Sequence, residues 1–230
     1  MEDRLLIVEG VEDQTFFAAV FRKLGMEDMA NLHPTTRTIR VSDKRRGKGP
    51  AIKLFGAALF GTEGTAKRVG LVVDADRQAV NPGEGFAATL SSINAELRRQ
   101  SFGDLTQASP ASGFFAQSSD KPLVKAGAWV MPDNCADGDL EHFAGGVVAT
   151  GEMARFQYAD ARAREVGDRK HGGPEFAFKP HHQHKAALGT WLAWSDPPRM
   201  SLGTAVSWDW LDINRPQFQN LTTWLKTLYS

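Results

Sequence analysis

Val69-Gly-Leu-Val-Val-Asp-Ala-Asp-Arg77 is an apolar run of strand length that ends abruptly in two aspartates one residue apart. A strand this apolar is buried on both faces, as in a parallel sheet covered by helices. On an extended chain residues two apart share a side, so the spacing predicts that Asp74 and Asp76 project together from the carboxyl edge of the sheet. That edge is where open α/β sheets bind their ligands.

The pattern recurs at the start of the chain. Arg4-Leu-Leu-Ile-Val-Glu-Gly10 runs from an apolar strand into Glu9 and a glycine. Parallel neighbours lie roughly 4.8 Å apart, which would bring Glu9 within reach of both aspartates. Carboxylates that close repel unless protons or a cation lie between them, and a hard cation such as Mg²⁺ or Mn²⁺ suits an all-oxygen donor set.

A strand ending in Glu-Gly, then a helix, then a strand ending in Asp-x-Asp resembles the Toprim domain of topoisomerases, bacterial primases and overcoming-lysogenization-defect (OLD) nucleases. A later segment, Gly138-Asp-Leu-Glu141, looks like the glycine-x-Leu-Glu of stand-alone OLD-like Toprim proteins. The resemblance implies an α/β fold, a mainly parallel Toprim-like sheet flanked by helices, with Glu9, Asp74 and Asp76 holding one ion. It also implies a second ion held by Glu141 with Asp137 or Asp13, and a following lysine, Lys185 or Lys179, facing the phosphate. Glu9 serves equally well as general base or as ligand. The other reading of Asp13 is a carboxylate favoured by the dipole of the helix it begins, and of Asp133 and Asp139 a turn and a cap.

The 230 residues suffice for one domain, with a core over about 1–145 and a helical, Trp-rich extension over about 146–230. Basic and acidic residues balance at 27 each, so no global field draws the chain to a polyanion. Nucleic acid must then be met locally, and the basic loop Lys44-Arg-Arg-Gly-Lys48 offers four cations for phosphate, or else a solvated charge run. The lone Cys135 excludes an internal disulfide. With no run near the roughly 20 apolar residues of a membrane span, and an acidic start at Glu2 and Asp3, a cytoplasmic protein is expected.

Apolar spacing predicts helices over 11–24, 50–60, 86–99 and 152–166, another after Lys185, and a last one from Pro216. Strands are expected over 37–41, 113–117 and 126–131, and irregular chain over 197–210. His181 and His184, three apart, form a possible metal pair. Trp191, Trp194, Trp208, Trp210 and Trp224 read first as packing, alternatively as a base-stacking surface.

A haloacid-dehalogenase-like phosphatase is excluded, because Gln78 stands where its pattern needs Thr or Val. Topoisomerase chemistry is excluded by the lack of room for a gate. No phosphate-binding Gly-x-x-x-x-Gly-Lys-Ser/Thr loop occurs, so an ATPase would have to come from a partner chain. Two functions remain: a Mg²⁺-dependent nuclease using two ions about 4 Å apart, or a non-catalytic metal- or nucleotide-binding module working through a partner. The sequence carries no signal for oligomeric state.

Overall fold

The run before Asp74 forms β2 (Lys67–Asp74), flanked in parallel by β1 (Arg4–Ile7) and β4 (Val124–Met131), with the short β3 (Phe114–Ala116) antiparallel at the edge. The order is β1-β2-β4-β3. This computed structural model describes residues 4–26, 47–60, 67–167 and 178–230. The expected strand over 37–41, and Lys44, Arg45 and Arg46 of the basic loop, lie outside the described residues.

Alternation along each strand divides the core in two. Ile7, Val69, Leu71, Val73, Ala126, Ala128 and Val130 face one side, where α2 (Lys48–Leu59) and α3 (Phe86–Arg99) contribute Phe55, Leu59, Ile93 and Leu97. Leu6, Val8, Val72, Trp129 and Met131 face the other. That side is covered by α1 (Val11–Lys23), α4 (Leu140–Gly146), α6 (Gln183–Ala193) and α8 (Pro216–Tyr229). The helices after residue 146 therefore complete the second outer layer of an α/β fold. Phe16 of α1 lies 6.0 Å from both Phe143 and Phe218, ring centre to ring centre.

Helix α8 approaches the sheet where side chains are missing. Gly70 and Gly127 are partners in register on β2 and β4. A Cβ on Gly70 would stand 2.8 Å from the Tyr229 hydroxyl and 2.9 Å from Leu228, so only glycine admits the helix at this depth. The Tyr229 hydroxyl in turn donates to the Leu5 carbonyl at 2.8 Å.

The predicted helices form with small shifts of their ends. Helix α1 closes through Leu24 with Gly25 at φ +64°, the left-handed conformation glycine adopts at little cost. Helix α5 (Met153–Gly167) buries only Ala159 and Ala163, in keeping with its Ala- and Arg-rich composition. One segment departs from expectation: 197–210 contains α7 (Leu202–Ser207), whose amino end is capped by Ser201 accepting the Thr204 N–H at 3.1 Å. Six residues are too few to display a helical period, and only the serine cap announced it. Among the described residues no helix is long and apolar enough to cross a membrane.

Candidate metal centre

The parallel register that pairs Ile7 with Leu71 carries Glu9 beside the end of β2, where its Oε1 accepts the Asp74 N–H at 2.7 Å. Gly10 then caps the start of α1, and Asp13 in the first turn is buried. Asp74 Oδ1 accepts the Leu140 N–H at 3.0 Å, tying β2 to the start of α4. Glu141 lies in that helix's first turn. Glu9, Asp13, Asp74 and Glu141 thus gather from three amino-acid segments at one sheet edge.

Their electrostatics follow from this crowding. Burial first, then the charges of Asp13 and Asp76, raise the Glu9 carboxyl to about 8, against the opposing pull of the Asp74 amide and Lys48. Asp74 is held well above the usual carboxylate range by burial, then by Glu9, Asp13, Asp139 and Glu141. Asp13 rises to about 6 through burial and the charge of Glu141.

Asp76 does not project alongside Asp74 as a continuous strand would require. The strand ends at Asp74, and Asp76 adopts φ 60°, exchanging two backbone hydrogen bonds with Gly138 at 2.7 and 2.9 Å. Its carboxylate is turned to Lys48 Nζ at 2.8 Å. The turn leaves Asp76 near enough to Glu9 to raise its pKa, with its own charge already paired.

Lys48 likewise departs from the expected phosphate contact. Its ammonium is enclosed by Asp76, Glu84, the Ala75 carbonyl and Thr89, and its side chain is only 13% exposed. Asp137, expected as a ligand, instead accepts the Phe86 N–H at 2.8 Å and the Gln78 N–H at 3.0 Å. It caps α3 from a distance, and those amides hold its pKa below the usual range. Lys185 does meet the centre, with Nζ 3.1 Å from both Glu141 and Asp139; Lys179 is exposed at the start of a short 3₁₀ turn. The Cys135 thiol donates to Asp133, and burial and then that neighbour push its pKa up, which disfavours a thiolate nucleophile.

The family described as "Protein of unknown function (DUF3226)" matches residues 3–230. The chain belongs to this family. No curated protein and no solved structure matches it.

Beside the carboxylates, the DUF3226 chain carries a second group that sequence spacing did not disclose. Asp139 is the N-cap of α4, as anticipated, but it also collects two imidazoles. His142 Nδ1 lies 2.5 Å from its Oδ1, and His184 Nε2 lies 2.8 Å from its Oδ2. The two rings face each other with centres 3.6 Å apart. Burial opposes the ionised form of Asp139, yet the hydrogen bonds from His142 and His184 and the charge of Lys185 hold its pKa well below the usual range. The ligand atoms of Asp139, His142 and His184 lie within 4.8 Å of one another, close enough to share a metal ion. The alternative His181–His184 metal pair is not the one formed: His181 precedes α6 on the 3₁₀ turn, and His184 meets His142 instead. The sequence signal available in advance was only the His142 position, three residues after a helix cap.

Of the tryptophans in the last quarter, Trp191 and Trp224 are fully buried, so packing explains them. Trp194 and Trp208 remain exposed, but they pack against Tyr158 and Trp210 respectively.

Proposed function

We propose that this DUF3226 protein is a Toprim-like, Mg²⁺-dependent phosphodiesterase acting on nucleic acid. The supporting observation is the Glu9–Asp74 contact at the ends of adjacent parallel strands, crowded by Asp13 and Glu141. Five carboxylates, counting Asp76, meet two lysine ammonium groups, Lys48 and Lys185, so protons relieve the crowding in the free chain and a hard dication could replace them. The donors are all carboxylate oxygens, which fits Mg²⁺ or Mn²⁺ better than a softer ion. Glu9 and Asp74 would hold one ion, joined by Asp76 when the ion displaces its contact with Lys48, and Glu141 with Asp13 a second. When bound, such ions activate water and stabilise a leaving oxygen.

The chain's own residues supply the rest. The Asp74 amide orients Glu9, the Leu140 amide orients Asp74, and Lys48 fixes Asp76. Lys185 brings a positive charge to the rim, where a scissile phosphate would gain charge. Glu9, raised to about 8 without an ion, would give up its proton when a dication binds and could then ligate the ion or accept a proton from water.

The test is cleavage of labelled single- and double-stranded DNA and RNA in Mn²⁺ by wild type and Asp74→Asn at matched purity. Cleavage by wild type alone is expected. Equal cleavage by Asp74→Asn, or none by wild type, removes the reading in favour of a metal- or nucleotide-binding module that works through a partner protein.

A further inference from the structure

A cleft of about 200 Å³ opens beside the acidic centre, between the chain after β2 and the start of α6. Arg77 enters it from one side, and His181, His182, His184 and Lys185 from the other. We propose that this cleft is a phosphate-binding subsite that receives a phosphate group of the substrate. The proposal deepens the phosphodiesterase reading and rests on it only for what the phosphate is attached to.

Two cations, Arg77 and Lys185, converge here from separate segments together with three histidines, and the carboxylates among them have partners. Asp76 is paired with Lys48. Asp139 accepts from the His142 N–H, His142 Nδ1, His184 Nε2 and Lys185 Nζ. Four donors fill the roughly four acceptor positions of one carboxylate. Among the described residues that line the cleft, both carboxylates are thus engaged, while Arg77 and Lys185 bring cations to its wall and His181 and His182 add ring nitrogens. At His181 desolvation, then the charges of His182, Lys179, Arg77 and His184, favour the neutral ring, which a bound anion would offset. Helix α6 also begins at this cleft with no side chain capping its amino end, and helix starts favour phosphate.

The same geometry argues against a metal ion between Asp139, His142 and His184. The Arg77 guanidinium contacts His142 Nε2, and a guanidinium only donates. The hydrogen-bond pattern therefore assigns the ring proton to Nδ1, pointing at Asp139, where a metal would need a lone pair. The Lys185 ammonium and the Arg77 guanidinium would both stand against an incoming dication. Asp139 is better understood as the carboxylate that orients both imidazoles and holds Lys185 in position.

Inorganic phosphate, titrated without Mg²⁺ into the full chain at constant ionic strength, supplies the first arm, read by NMR of the histidine rings. Saturable shifts at His181 and His184 are expected. Arg77→Gln and, separately, His181→Ala should each weaken the response, Arg77→Gln by about tenfold. Agreement between the two guards against a variant that misfolds, and thermal melting checks both. Shifts that grow linearly and equally in chloride overturn the subsite. So do stoichiometric shifts at His142 and His184 with Zn²⁺ while phosphate is silent, which would make the cluster a metal site. In the second arm, 5′-phosphorylated and 5′-hydroxyl oligonucleotides compete with phosphate. Competition by the phosphorylated one alone assigns an end phosphate, competition by both assigns an internal diester, and competition by neither overturns the proposal. Phosphate binding without cleavage would leave the subsite standing and remove the nuclease reading. Cleavage without phosphate binding would do the reverse.

Discussion

Glu9 Oε1 accepts the backbone N–H of Asp74 at 2.7 Å, so the carboxylate that follows one strand is fixed by the main chain of its neighbour. The bond orients Glu9 without neutralising it, and holds two acids together that would otherwise separate. A cation is the simplest relief.

Mg²⁺ or Mn²⁺ should therefore raise the melting temperature by several degrees at millimolar concentration. The double substitution Asp74→Asn with Asp76→Asn should remove the response. An unchanged shift in that variant would move the ion away from the strand ends.

Stability should fall as pH rises through neutrality. Glu9 has a folded-state value of about 8 against an ordinary 4.5, so the folded chain keeps a proton that the unfolded chain releases. The sign is fixed: the contribution is full below about pH 4.5 and lost as pH approaches 8. Asp13, raised from 3.8 to about 6, acts in the same direction over a lower window. The combined effect is on the order of a few kcal/mol, measured by denaturant unfolding from pH 5 to 8.5. Saturating Mg²⁺ should flatten the profile, and a metal-free profile rising toward pH 8 would refute the crowding.

Metal binding at pH 7 should release about one proton or more per chain, since Glu9 is then mostly protonated. Calorimetric titration in buffers of different ionisation enthalpy reads that number. Heats independent of the buffer would mean the ion binds groups already ionised.

Glu141→Gln should retain nucleic-acid binding and lose most cleavage, as the Asp74 side of the centre stays intact. Lys185→Ala should lose less, because it removes charge beside Glu141 without removing a carboxylate. Full cleavage by Glu141→Gln would restrict the chemistry to a single ion.

Gly70→Ala should destabilise the chain by roughly 1–3 kcal/mol through overpacking, because the added carbon meets Leu6, Leu228 and Tyr229 within 2.9 Å. Chemical denaturation measures it. Asp137→Ala should cost about 1 kcal/mol by freeing the amide at the start of α3.

Much of the frame was legible because it is written in local periodicity. The apolar runs of β1, β2 and β4 and the stripes of α1, α3 and α8 emerged close to their expected bounds. Glu9 beside Asp74 followed from reading two apolar strands as parallel neighbours. What the sequence concealed depends on contacts across long separations. Lys48 read as part of a basic loop for phosphate, or else a solvated charge run, but Glu84 and Asp76 enclose it. The parallel reading of Asp74 and Asp76 failed because the extended conformation ends between them, where Asp76 takes φ 60°. His142 and His184 carry no shared motif, and only the docking of α6 against α4 brings their rings to 3.6 Å.

The Tyr229 hydroxyl bonded to the Leu5 carbonyl joins residues 224 positions apart. During synthesis from the amino end, β1 would leave the ribosome long before the helix that seats it over Gly70. The last helix thus clamps the strand that leads to Glu9, so a change that loosens α8 over Gly70 would be felt at the acidic edge on the far side of the sheet's end.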